Sequence, residues 1–91
     1  VKSLQVGDKV CATFSQKWCH GVANNETFQN TLGSPLDGML SENKVFHEEG
    51  LIKFPSFLSY EEAATLPCAG VTAFNALLCQ SEIKPGDTVL L

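Results

Sequence analysis

Four cysteines, Cys11, Cys19, Cys68 and Cys79, are the residues of this 91-residue chain best suited to metal or redox chemistry. Zinc knuckles and redox dithiols present their ligands in close pairs, so that one turn of backbone aims both sulfurs at a single point. No pair here has that spacing. Cys19 and His20 are adjacent, and neighbouring residues rarely aim both side chains at one ion, so no metal is expected to be held by this chain. The default is four reduced thiols in an intracellular, cytoplasmic protein. His47-Glu48-Glu49-Gly50 supplies an imidazole and two carboxylates, the groups of acid–base or metal chemistry. Nothing apolar surrounds it to perturb a pKa, and a solvated turn is the expected outcome. Thr72 and Asn75 interrupt an apolar helical stretch and need partners from protein, water or a ligand.

The elements that must position these residues are legible in part. Val6-Gly7-Asp8-Lys9-Val10 reads as a Gly-Asp turn entering an apolar strand within residues 4–14. Residues 15–38 dissolve into Asn, Gly, Ser and Thr around isolated Trp18, Phe28 and Leu32. Such a long excursion is either a variable surface loop, the favoured reading, or a lid over a site. Residues 39–46 are expected to form a strand and Leu51-Ile52-Lys53-Phe54-Pro55 a second, shorter one.

Ser59-Tyr60-Glu61-Glu62 has the pattern of a capping box, with the acidic pair at the positive end of a helix dipole. A short helix through Ala63, Ala64 and Leu66 should end near Pro67. A second helix is expected over residues 69–79, apolar nearly all round and therefore buried between layers. Lys84-Pro85-Gly86-Asp87 then turns into Thr88-Val89-Leu90-Leu91, a β-prone run. Buried helix, Pro-Gly turn and apolar strand together read as the opening of a parallel α/β unit, which predicts that the chain is part of a larger enzyme.

Composition narrows the classes. Hydrophobic residues make up 44% of the chain, the range of globular proteins rather than disordered ones. A net charge of −4, with six scattered Lys and Arg, argues against nucleic acid as a partner, because phosphate binding wants a basic stripe. No apolar stretch approaches the ~18 residues of a membrane-spanning helix. Val1-Lys2-Ser3-Leu4-Gln5 lacks the apolar region of a secretory leader.

The run Glu61-Glu62-Ala63-Ala64-Thr65-Leu66-Pro67-Cys68-Ala69-Gly70-Val71-Thr72-Ala73-Phe74-Asn75-Ala76-Leu77 closely resembles the interdomain segment of medium-chain dehydrogenases/reductases, the superfamily of zinc-type alcohol dehydrogenases and quinone oxidoreductases. Val6-Gly7-Asp8-Lys9-Val10 resembles that family's G-D-x-V strand entry, and Lys84-Pro85-Gly86-Asp87-Thr88-Val89-Leu90 its run into the nucleotide-binding domain. Asp37-Gly38-Met39-Leu40, the loop from Trp18 to Gly21 and the lack of a four-cysteine lobe look most like a branch without zinc.

The resemblance implies an α/β parent protein. Residues 1–54 would be part of a β-rich GroES-like catalytic domain. Residues 55–91 would be interdomain helices and the first strand of a Rossmann domain. It implies NAD or NADP as cofactor and a small-molecule substrate, with room for a homo-oligomer. Two positions carry over. Cys68 matches the place where zinc-dependent members put one catalytic ligand, and a buried packing thiol is the favoured alternative. Thr72 matches a position that lies against the nicotinamide, and a hydroxyl bonded back to its own helix is equally expected. At i and i+4, Cys68 and Thr72 share a helix face and can look into one cleft. The resulting expectation is part of an oxidoreductase moving hydride between nicotinamide and a carbonyl, alcohol or activated alkene. The competing one is a non-catalytic remnant or interaction module. No residue of the chain is identified as the catalytic one.

Overall fold

The computed structural model describes residues 4–91; Val1, Lys2 and Ser3, which open both the expected 1–54 region and the segment read for a leader, lie outside the described residues. In chain order the elements are strand β1 (Val10–Ala12), helix α1 (Asn25–Phe28), a 3₁₀ turn (Glu48–Gly50), strand β2 (Leu51–Lys53), helix α2 (Tyr60–Ala64), a π-helical turn (Leu66–Gly70), helix α3 (Val71–Phe74) and a second π-helical turn (Asn75–Gln80). This is a small mixed arrangement of helices and strands.

The Gly-Asp turn forms as its residues dictate. Gly7 takes the third position with φ +95°, where a side chain is strained. The Asp8 N–H donates to the Gln5 carbonyl at 3.1 Å. The Asp8 carboxylate in turn accepts the Gln5 N–H at 2.7 Å. The same turn recurs at the other end of the chain. Gly86 has φ +97°, the Asp87 N–H donates to the Lys84 carbonyl at 3.0 Å, and the Asp87 carboxylate accepts the Lys84 N–H at 2.7 Å.

The first turn leads into β1, which pairs antiparallel with β2 in the register Val10↔Lys53, Cys11↔Ile52 and Ala12↔Leu51. Thr13 N–H to Gly50 carbonyl (2.9 Å) and Phe54 N–H to Lys9 carbonyl (3.3 Å) extend the ladder at both ends. Lys53 reaches back to Asp8 at 2.8 Å, tying the turn to the far strand. Residues 1–54 were expected to be β-rich. Their described part holds two three-residue strands and two isolated bridges, Ser15↔Thr31 and Leu32↔Leu36.

Residues 15–38 are better ordered than their composition predicts. Asn24 caps α1 by accepting the Thr27 N–H at 3.1 Å, and the Thr27 hydroxyl oxygen accepts the Asn24 N–H at 3.1 Å. Thr27 and Thr31 are buried, and the Ser15 hydroxyl donates to the Thr27 carbonyl at 2.7 Å. The excursion is thereby folded back onto the end of β1.

The strand expected over residues 39–46 does not form. That segment has no ladder partner among the described residues, and Leu40 and Val45 stand almost fully exposed. The Lys44 ammonium holds it by donating to the carbonyls of Asp37 (2.6 Å) and Gly38 (2.7 Å). His47-Glu48-Glu49-Gly50 is a polar turn as expected, with His47 and Glu49 side chains largely exposed and 3.6 Å apart.

The buried apolar residues are Ala12, Phe54 and Ala63, drawn from both sides of position 54. Phe54 meets Tyr60 edge-on with ring centroids 5.5 Å apart, a favoured aromatic geometry, and the Lys9 ammonium lies over the Tyr60 ring at 5.2 Å. The sheet and the first turn of α2 therefore share one small core.

The capping box at Ser59 is present in full. The Ser59 hydroxyl accepts the Glu62 N–H at 3.1 Å and the Glu62 carboxylate accepts the Ser59 N–H at 2.8 Å. Beyond α2 the helical path widens. Pro67 has no N–H to give, and the Gly70 N–H reaches five residues back to the Thr65 carbonyl at 3.1 Å. The helical stretch nevertheless continues to Gln80. Its expected burial does not occur. Val71, Phe74 and Leu78 are 60%, 59% and 51% exposed, because no described element packs across them.

Thr88-Val89-Leu90-Leu91 is not a strand in this structure. A strand needs a neighbour to satisfy its backbone, and none of the described residues supplies one.

Candidate functional site

Cys68 lies within the widened helical turn and Thr72 just beyond it, in α3. The Thr72 hydroxyl donates to the Cys68 carbonyl at 2.7 Å. The hydroxyl proton is thus committed to the helix, while the oxygen keeps lone pairs to accept a bond. Both residues are exposed, and the Cys68 thiol is free.

The two residues border different recesses. Cys68 lines an apolar one of about 500 Å³ together with Cys11, Phe14, Met39, Tyr60 and Ala63. Thr72 lines another of about 570 Å³, with Trp18, Val71, Asn75, Ala76 and Gln80 among its walls. Thr72 stands four residues after Cys68 and bonds to its carbonyl, yet the two side chains line separate recesses.

The polar groups of the second recess have complementary states. Trp18 is anchored by its own indole N–H, which donates to the Gly21 carbonyl at 3.0 Å. The Asn75 amide makes no side-chain hydrogen bond with the described residues, so its donors and acceptor are all available. Sequence reading singled out Thr72 and Asn75 as needing partners but did not bring Trp18 to them. Only the fold-back of residues 15–38 does that, and no spacing in the sequence signals it.

The acidic groups with clear shifts lie elsewhere. The Lys53 ammonium, followed by the Gln5 N–H, holds the Asp8 carboxyl below its ordinary value. Glu61 is likewise lowered, first by its own backbone N–H and then by the Ser59 side chain. Among the described residues no three His, Cys, Asp or Glu come together to hold a metal ion. No helix of the described residues is long and apolar enough to cross a membrane.

Comparison with known proteins adds to this geometry. The chain is 37% identical over 93 residues to a zinc-type alcohol dehydrogenase-like protein of Schizosaccharomyces pombe. The match covers all of this chain and 27% of that protein. It is 34% identical over 98 residues to an alcohol dehydrogenase of Geobacillus stearothermophilus, covering all of the chain and 29% of the relative. The chain is related to alcohol dehydrogenase-like proteins. It is also 30% identical over 88 residues to the lovastatin diketide synthase lovF of Aspergillus terreus, covering 97% of this chain and 3% of that protein. No family model matches the chain, and no solved structure does. The chain therefore spans well under a third of the length of the two dehydrogenase relatives.

Proposed function

We propose that this chain belongs to a longer NAD(P)-dependent, alcohol dehydrogenase-like oxidoreductase of the medium-chain superfamily. It contributes the join between a GroES-like catalytic domain (1–54) and a Rossmann domain entered near residue 91. The observation that carries this reading is the alignment of the whole chain, at 37% and 34% identity, with two proteins named for alcohol dehydrogenase.

In this reading the cofactor supplies the hydride chemistry, between nicotinamide and a carbonyl, alcohol or activated alkene. The residues present fit one end of such a cofactor. Thr72 offers a hydroxyl oxygen as acceptor, with its proton already directed to Cys68. Asn75 offers an unengaged amide three residues on, beside the same recess. The chain does not supply the backbone N–H cradle that a pyrophosphate needs at a glycine-rich loop and helix N-terminus. Zinc fits less well: Cys68 gives a single thiolate where zinc takes four ligands, and no described cluster completes the set. The branch without zinc is favoured instead by the resemblance carried by Asp37-Gly38-Met39-Leu40 and by residues 18–21. The substrate is a small molecule, the protein intracellular, and a homo-oligomer is compatible with the exposed helix.

The test is turnover by the longer protein with NADH and NADPH against aldehydes, ketones, enones and quinones. Cofactor-dependent turnover is expected. A folded protein that neither binds nor oxidises either nucleotide supports the second reading, a non-catalytic interaction module, for which exposed Val71, Phe74 and Leu78 would be the contact face.

A further inference from the structure

We propose that Trp18 is a positioning residue, an aromatic wall against which a flat heteroaromatic ring bearing a carboxamide is held in the recess of Thr72 and Asn75. The proposal rests on the reading of that recess as the nicotinamide end of a dinucleotide site. It adds a residue that sequence spacing does not assign and that comes from the other half of the chain.

Three observations converge. Trp18 borders the same recess as Thr72 and Asn75, and it is 46% exposed, so ring surface is open to a ligand. Its indole N–H is already used by the Gly21 carbonyl at 3.0 Å, and its backbone N–H points to the Ser15 carbonyl at 3.5 Å. An indole tied in this way offers a fixed apolar plate rather than a donor, which is what stacking requires and what hydrogen-bond readout does not.

The recess then holds a hydroxyl oxygen with free lone pairs and an amide with free donors and acceptor. A primary carboxamide would match that set: its N–H₂ could donate to the Thr72 oxygen and its carbonyl could accept from the Asn75 N–H₂. The excursion of residues 15–38 thereby acquires a purpose beyond surface variation, because Ser15 and Gln16 pin its base to α1 and its neighbours while Trp18 reaches the helix. Ser15 bonds the Thr27 carbonyl at 2.7 Å and the Gln16 N–H the Asn30 carbonyl at 2.9 Å.

The experiment is NADPH and NADH titration of the longer protein and its Trp18→Ala and Trp18→Phe variants, read by binding and by energy transfer from tryptophan to reduced nicotinamide. Trp18→Ala is expected to weaken binding about tenfold, the effect of losing one aromatic stack. Trp18→Phe should restore binding to within about threefold, since a smaller ring still stacks. The share of transfer contributed by Trp18 should vanish in Trp18→Phe while turnover persists. A wild-type protein that binds, with Trp18→Ala binding equally well, overturns the role of Trp18 and leaves the oxidoreductase reading intact. If Trp18→Ala does not fold, the transfer difference between wild type and Trp18→Phe decides, and no difference overturns the proposal. A folded wild type that binds neither nucleotide overturns both readings together.

Discussion

The Thr72 hydroxyl donates to the Cys68 carbonyl at 2.7 Å, so the two residues singled out by chemistry are joined through the backbone rather than through a shared ligand. The bond settles the direction of the hydroxyl proton and leaves only the acceptor side of Thr72 for function. A threonine bonded back to its own helix contributes little to helix stability, and such bonds even weaken helices slightly.

Thr72→Val is therefore expected to leave the stability of the longer protein within about 0.5 kcal/mol of wild type. Its cofactor binding or hydride transfer should weaken by about 1 kcal/mol, the worth of one neutral hydrogen bond. Urea unfolding and nucleotide titration on the same preparation separate the two effects. Unchanged cofactor binding and turnover would return Thr72 to a purely helical role.

Ser59→Ala removes the hydroxyl that accepts the Glu62 N–H, while the backbone N–H of residue 59 can still donate to the Glu62 carboxylate. A destabilisation of about 1 kcal/mol is expected, with Ser59→Asp largely restoring the cap. Urea midpoints of the three proteins check it. Equal midpoints would mean that the helix start is held by the Phe54–Tyr60 contact instead.

Asp8 links the turn at Gln5 to Lys53, and its carboxyl is held below its ordinary value of 3.8, chiefly by the Lys53 hydrogen bond. A depressed folded pKa means that the stabilisation is fully present above the unfolded value and is lost as pH falls through the folded one. Acid titration of stability should show that loss beginning below pH 3.8 in wild type. Asp8→Asn should lack this component, and Lys53→Met should reduce it. An identical acid limb in wild type and Asp8→Asn would contradict the assignment.

Gly50 is buried, and a methyl group added there would meet the Gln16 side chain, with Cδ at 2.8 Å. Gln16 is held in that position by donating to the Thr13 carbonyl at 2.7 Å and the Gly50 carbonyl at 3.2 Å. Gly50→Ala should cost about 1–2 kcal/mol, as overpacking does. In a Gln16→Ala background the same change should cost clearly less, and a double-mutant cycle reads the difference. Additive effects would show that Gly50 is needed for another reason.

The parts of this fold that were legible in the sequence are those whose partners lie within a few residues. Ser59 and Glu62 cap each other three positions apart. Gly7 with Asp8 and Gly86 with Asp87 close turns whose backbone bond and carboxylate-to-N–H bond both span three residues. Residues 39–46 and Thr88-Val89-Leu90-Leu91 have the composition of strands, yet a strand exists only with a neighbour, and none of the described residues pairs with them. The apolar helix shows the same limit. Its pattern reports a demand for burial, which Val71, Phe74 and Leu78 leave unmet. Helix α1 was missed for a different reason: Asn24 and Thr27 make a cap, but the helix is a single turn inside a polar stretch and carries no apolar periodicity. At the site, Thr72 and Asn75 were legible as polar breaks in an apolar run, and both line one recess. The approach of Trp18 was not, because it depends on where a loop without periodic signal folds.

The central claim, that the chain supplies one part of a dinucleotide site completed elsewhere in a longer oxidoreductase, is tested most directly by titrating NADPH and NADH into the 91-residue chain and the longer protein side by side, with turnover measured in both. The longer protein is expected to bind and to turn over carbonyl, alcohol or enone substrates, while the chain alone shows neither tight binding nor turnover. Tight NADPH binding by the chain alone, or no nucleotide-dependent turnover by a folded longer protein, would contradict it.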